Sequence, residues 1–104
     1  MMINQPLPIG RRRYSRTKVL FAGRFYRGRQ AVECVIADVS ANGARILARS
    51  VPDGDLLAVL EIRRYGMFPG EIVWRDDRGA GIRFLDSPHR VADAMRPTLS
   101  PLRL

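Results

Sequence analysis

Arginines are concentrated in the segment 11–16, where their spacing suits the binding of phosphate groups. Arg12 and Arg16 form an Arg-x-x-x-Arg motif, with Arg11 directly before it and Arg13 inside it. A guanidinium can hold a phosphate through two parallel hydrogen bonds, and it can bind the O6 and N7 acceptors of guanine in the same way. The segment therefore predicts a site for an anionic ligand, and a ligand with two phosphates would use such dispersed positive groups.

A second motif, Asp-x-Ser-x-x-Gly, is formed by Asp38, Ser40 and Gly43. The carboxylate of Asp38 or the hydroxyl of Ser40 can accept hydrogen bonds from the N1–H and the amino group of guanine. Gly43 allows a flat base to come close to the backbone, or a backbone conformation closed to other residues. The residue types of the two motifs are thus complementary to phosphates and guanine edges.

Each motif is weak when it stands alone. Arg45 and Arg49 also satisfy Arg-x-x-x-Arg, and a solvated basic surface is the commoner reason for such a pair; Asp, Ser and Gly are ordinary turn residues. The order and the separation of the motifs carry more information. The 21 residues between them, 17–37, are enough for two antiparallel strands, and their hairpin would return the second motif beside the first.

Short alternating segments, separated by turn signals, continue along the chain and indicate an antiparallel barrel or sandwich. Gly66 and the pair Pro69-Gly70 are expected to interrupt the pattern. Ser87 can cap a short helix with Pro88 in its first turn, and Pro97 should end that helix near Met95 or Arg96. The predicted strands are Lys18–Tyr26, Ala31–Ala37, Ala44–Ala48, Leu56–Arg63, Glu71–Arg75 and Ala80–Leu85.

The composition favours a binding protein over an enzyme. The 18 basic and 10 acidic residues give a formal charge of +8, which attracts phosphates, nucleic acid or a membrane surface. With one cysteine (Cys34) and one histidine (His89), the sequence offers no intrachain disulfide, metal-ligand spacing or nucleophile–base pair, so neither enzyme activity nor a metal or cofactor is expected. With neither a signal peptide nor a membrane span in the pattern, a cytoplasmic location is expected.

The two motifs, in this order and spacing, resemble the PilZ family, whose pattern is Arg-x-x-x-Arg followed by Asp or Asn-x-Ser-x-x-Gly. The later segments 70–74 (Gly-Glu-Ile-Val-Trp) and 79–84 (Gly-Ala-Gly-Ile-Arg-Phe) are similar to the closing hairpin of that family. The resemblance implies a six-stranded antiparallel β-barrel with a short C-terminal α-helix. It also implies cyclic di-GMP as the ligand, held when the arginine segment folds over the barrel surface.

Carried over by position, the resemblance implies that Arg12 and Arg16 bind phosphate and guanine. Asp38, Ser40 and Gly43 would line the guanine site. Arg11 lies where an arginine in family members accompanies a stacked pair of ligand molecules, so it is a further candidate.

Four other residues are candidates for ligand contact. Arg13 lies within the arginine segment, and Arg45 follows the glycine turn. Arg83 alternates with Ile82 and should point outward. Trp74 could stack on the ligand, but it shares a predicted face with Ile72, which favours packing between the core and its rim.

The organisation expected from these patterns is one domain with a flexible N-terminal leader. The ranges are 1–10 for the leader, 11–96 for the domain (arginine arm 11–16, barrel 18–85, helix 88–96) and 97–104 for a tail. The leading hypothesis is a cyclic di-GMP receptor that signals to a partner protein when its arginine arm becomes ordered. The alternatives are a small basic β-barrel that binds nucleic acid, which sparse aromatics make less favoured, and a PilZ-like protein adaptor without ligand.

Overall fold

The computed structural model describes residues 14–51, 54 and 56–99, which form a closed antiparallel β-barrel followed by a short helix. Around the barrel the strand order is β1-β2-β3-β6-β5-β4. The elements are Thr17–Arg27 (β1), Gln30–Ser40 (β2), Gly43–Leu47 (β3), Leu57–Ile62 (β4), Gly66–Asp76 (β5), Gly79–Phe84 (β6) and Pro88–Ala94 (α1). The prediction of a six-stranded barrel with a C-terminal helix is confirmed, and the barrel is the correct choice over the sandwich.

The β1–β2 hairpin places the two sequence motifs at one end of the barrel. Its register runs from Arg27 opposite Gln30 to Thr17 opposite Val39, with a bulge between Lys18 and Phe21. Because the strands are antiparallel, the beginning of β1 lies beside the end of β2. Arg16, directly before β1, is therefore brought to the level of Asp38, as the spacing predicted.

Strand β5 is longer than predicted. The interruption expected around Gly66 is present as a turn over residues 63–65, directly before β5, but the one expected at Pro69-Gly70 was wrong, because the strand runs unbroken over Gly66–Asp76. The β5–β6 ladder begins at Gly70 opposite Phe84, so Pro69 lies beside Leu85, just beyond the end of β6. Its carbonyl oxygen accepts a hydrogen bond from Leu85 N at 3.0 Å, and its missing N–H breaks no bond of the ladder.

Helix α1 closes the end of the barrel that carries the motifs. Ser87 Oγ accepts from Arg90 N at 3.3 Å and Pro88 lies in the first turn, as predicted, while the helix ends at Ala94 and not at the expected residue 96. Beyond it, the Tyr65 hydroxyl, in the β4–β5 turn, is 2.7 Å from Thr98 Oγ1. The predicted tail therefore begins with residues that help to close the barrel.

One hydrophobic core fills the barrel and continues beneath α1. It joins strand residues such as Phe25, Ile46 and Leu60 to Met95 of the helix cap, all almost fully buried. Cys34 belongs to this core, as predicted, and burial raises the pKa of its thiol to about 11. At neutral pH the thiol is therefore protonated, and Cys34 acts as a small apolar residue.

Candidate ligand-binding site

The carboxylate of Asp38 holds an arginine on each of its two oxygens. Arg16 Nη1 donates to Oδ1 at 2.7 Å, and Arg45 Nε donates to Oδ2 at 3.0 Å. The Asp38 side chain is 12% exposed, whereas those of Arg16 and Arg45 are 64% and 42% exposed. A buried carboxylate requires such compensation. The expected meeting of the two motifs is confirmed by the contact between Arg16 and Asp38.

The strand register extends this pair into a row of residues on the outer face of the barrel. Lys18 is paired with Asp38, Asp38 with Arg45, Arg45 with Gly81, and Gly81 with Trp74. Side chains directly opposite each other on adjacent strands share a face of the sheet. Four strands besides β1 thus contribute to one continuous outer surface at the site.

The β2–β3 turn is held by its own side chains. The Ser40 hydroxyl is buried, donates to Asn42 Oδ1 at 2.7 Å and accepts from Asn42 N at 3.3 Å. A Cβ on Gly43 would overlap the carbonyl oxygen of Ile82, so only glycine lets β3 and β6 approach this closely. Ser40 and Gly43 therefore shape the turn as well as border the site.

A cleft of about 430 Å³ opens beside this turn. Its volume lies in the range of small-molecule sites in proteins, roughly 300–1,000 Å³. Both motifs contribute to its wall, Arg16 from the first and Ser40 and Gly43 from the second. Among the described residues, the lining consists of Tyr14, Arg16, Ser40, Asn42, Gly43, Val73, Ile82 and Arg83.

Arg83 reaches the cleft from β6 and forms an ion pair with Glu71 on β5, its cross-strand neighbour. Its side chain is 54% exposed, which confirms the outward orientation expected from its alternation with Ile82. The two arginines that line the cleft, Arg16 and Arg83, are thus both paired with carboxylates. An anionic ligand would have to compete with Asp38 and Glu71 for them.

Trp74 lies on the outer surface, and the preference for packing between core and rim was wrong. A bulge between Ile72 and Trp74 shifts the register, so that Ile72 stays inside while the indole lies flat against Gly81. A Cβ at position 81 would overlap the indole ring, so the glycine makes this contact possible. Trp74 remains 45% exposed and offers an aromatic surface in the same outer row as Arg45, with Gly81 between them in the register.

Some predicted residues lie outside the described part of the chain, and some lining residues escaped prediction. Arg11, Arg12 and Arg13, with the 1–10 leader, fall in the first group. The second group comprises Tyr14, Asn42, Val73 and Ile82. Asn42 occupies a variable position of the Asp-x-Ser-x-x-Gly motif, and Val73 reaches the surface through the β5 bulge, which no local pattern signals.

Over the described ranges, no cluster of His, Cys, Asp or Glu side chains could hold a metal ion. Within the same residues, no helix is long and apolar enough to cross a membrane.

Comparison with known proteins agrees with the geometry. A family model described as PilZ domain matches residues 10–96, a span that contains both motifs and all the described residues that line the cleft. No curated protein matches the chain.

Proposed function

Because the chain belongs to the PilZ domain family, whose members generally bind cyclic di-GMP, we propose that it is a receptor for this dinucleotide. The observation that carries the proposal is the Arg16–Asp38 pair beside the 430 Å³ cleft. It brings a guanidinium, which suits phosphate, and a carboxylate, which suits the N–H donors of guanine, together beside a cleft of suitable size.

In the proposed complex, guanine donates hydrogen bonds from N1–H and its amino group to the Asp38 carboxylate. Arg16 and Arg83 leave their carboxylate partners and bind phosphate oxygens or the O6 and N7 atoms of guanine. Gly43, with no side chain, lets the base approach the β2–β3 turn. Arg12, four residues before Arg16, adds a further cation from the arm, and Arg11 and Arg13 are additional phosphate contacts.

Trp74 supplies an aromatic surface for a second base in this proposal. Its exposed indole, fixed against Gly81, lies in the outer row that contains Asp38 and Arg45. Stacking of a base on an aromatic ring contributes about 1–3 kcal/mol. Such stacking should quench the fluorescence of Trp74. Because Trp74 is the only tryptophan of the chain, that signal reports on this position alone.

Signalling in this proposal passes through the arginine arm, residues 11–16. When arginines of the arm bind the ligand, the arm becomes ordered over the cleft and, with the ligand, forms a new surface. A partner protein would recognise that surface. PilZ domains are binding and adaptor domains, and no catalytic step is needed for this role.

Nonspecific binding of nucleic acid is less well supported. Proteins that bind single strands this way present several aromatic side chains on which bases stack. All eight aromatic residues of this chain lie in its described part, and among them only Trp74 has a largely exposed side chain.

Calorimetric titration with cyclic di-GMP tests the proposal. Wild type should release or absorb heat with a single saturating transition, and Arg16→Ala and Asp38→Ala should each weaken binding by about tenfold or more. Arg49→Ala is the matched control, since it removes the same charge from an arginine outside the cleft. An absence of heat with wild type at high micromolar ligand would refute the receptor role, and equal affinities for all variants would refute the site.

A nucleic-acid binder would instead bind oligonucleotides with a steep salt dependence.

Glu71→Gln should strengthen cyclic di-GMP binding, by about two- to fivefold. The substitution removes the carboxylate that holds Arg83, so that this arginine no longer has to leave an ion pair before it binds the ligand. The gain is small because the Arg83 side chain is half exposed and its ion pair is screened by solvent. The same titration measures it, and a loss of affinity would show that Glu71 itself contacts the ligand.

A further inference from the structure

Asp38 is bound by two arginines that differ in how firmly the fold positions them. Arg45 lies within β3, and its backbone is paired with Asp38 of β2 on one side and Gly81 of β6 on the other. Arg16 precedes β1 and belongs to no strand. Its side chain is also the more exposed of the two, 64% against 42%. Arg16 can therefore leave the carboxylate at little structural cost, whereas the Arg45 backbone is fixed beside Asp38 by strand pairing on both sides.

We propose that Arg45 is a positioning residue, which holds the ionised Asp38 carboxylate by Oδ2 while the ligand replaces Arg16 at Oδ1. This inference rests on the proposed function. On binding, the Oδ1 acceptor passes from the Arg16 guanidinium to guanine, and the freed guanidinium binds a phosphate or a base. Arg45 makes no ligand contact and acts through Asp38 alone.

The exchange requires Arg45 for an electrostatic reason. Asp38 is 8% exposed, and a buried carboxylate left without a cation is strongly unfavourable. With Arg45 in place, the departure of Arg16 still leaves one charged hydrogen bond at 3.0 Å. Without Arg45, Arg16 would be the one cation among the described residues that is still bonded to the carboxylate, and it would be retained there. The loss of Arg45 should thus weaken ligand binding although the ligand does not touch it.

A double-mutant cycle distinguishes action through Asp38 from direct contact. Cyclic di-GMP affinity is measured for wild type, Arg45→Gln, Asp38→Asn and the double variant, with Arg49→Gln as the control for charge. The asparagine keeps an acceptor oxygen but removes the negative charge, so binding should persist at reduced affinity. Arg45→Gln should weaken binding by about tenfold or more in the wild-type background and by about twofold or less in the Asp38→Asn background.

Nitrogen-15 NMR of the arginine side chains gives a second readout that does not depend on the affinity of the weak variants. On addition of cyclic di-GMP, the Nε–H signal of Arg45 should keep its position and the signal of Arg16 should move. In the ligand-free protein, Asp38→Asn should move both signals. If Arg45→Gln fails to fold, the two arginine signals of wild type during titration with cyclic di-GMP still test the inference.

The inference would be overturned if Arg45→Gln lowered the affinity for cyclic di-GMP equally in both backgrounds, or in neither. It would also be overturned if the Arg45 signal moved as far as that of Arg16. In each of these cases wild type still binds cyclic di-GMP, so the receptor role stands. No binding by wild type overturns the receptor role, and this inference with it.

Discussion

Gly43→Ala should lower the free energy of unfolding by about 2 kcal/mol or more and weaken cyclic di-GMP binding by about tenfold or more. The added methyl group would overlap the carbonyl oxygen of Ile82, which is backbone and cannot rotate away. The β3 and β6 strands would have to separate at the edge of the cleft. The turn that holds Ser40 and Asn42 would move with them, because Asn42 O accepts from Phe84 N at 2.8 Å.

Gly79→Ala is the matched control for this prediction. Position 79 lies at the other end of the same β3–β6 ladder, opposite Leu47, and a Cβ there would overlap the carbonyl oxygen of Ile46. Its expected stability loss is of similar size, but the folded protein should keep its ligand affinity. Urea denaturation and calorimetry on both variants give the comparison. Equal affinities for the two would show that the close approach at Gly43 has only a structural role.

Met95→Ala should lower the free energy of unfolding by about 2–4 kcal/mol. The Met95 side chain is fully buried, and its truncation would leave a cavity between helix α1 and the barrel. Affinity for cyclic di-GMP should change little in the folded protein, since Met95 does not line the cleft. Urea denaturation measures the first effect and titration well below the unfolding transition measures the second.

Arg96→Ala, one residue further, is the control for Met95→Ala. The Arg96 side chain is 58% exposed and its ion pair with Asp93 is at the surface, so its loss should cost about 0.5 kcal/mol or less. A comparable loss of stability in both variants would mean that the end of the helix, and not the buried methionine, carries the stabilisation.

The local features of the barrel could be predicted from sequence because they depend on neighbours in the chain. Alternation of apolar residues with a period of two predicted the β1–β2 hairpin, and Ser87-Pro88 predicted the start of α1. The predictions that were wrong concern features that depend on contacts between strands. The continuation of β5 through Pro69 depends on where β6 ends, since only that makes the missing N–H harmless. The outward position of Trp74 depends on a bulge in the pairing of β5 with β6.

At the site too, some features follow from the local sequence and others from contacts between strands, as the arginine segment and the Asp38–Gly43 turn show. Residue types and spacing alone determined which groups could bind phosphate and guanine, and that a hairpin would bring Arg16 to Asp38. Only the tertiary structure decided that Arg45 shares the carboxylate, that Glu71 holds Arg83, and that Gly81 supports Trp74. These pairs join strands that are distant in sequence, and the register of a closed barrel determines them. A period-two pattern shows which face a side chain is on, but not which residue stands beside it on the next strand.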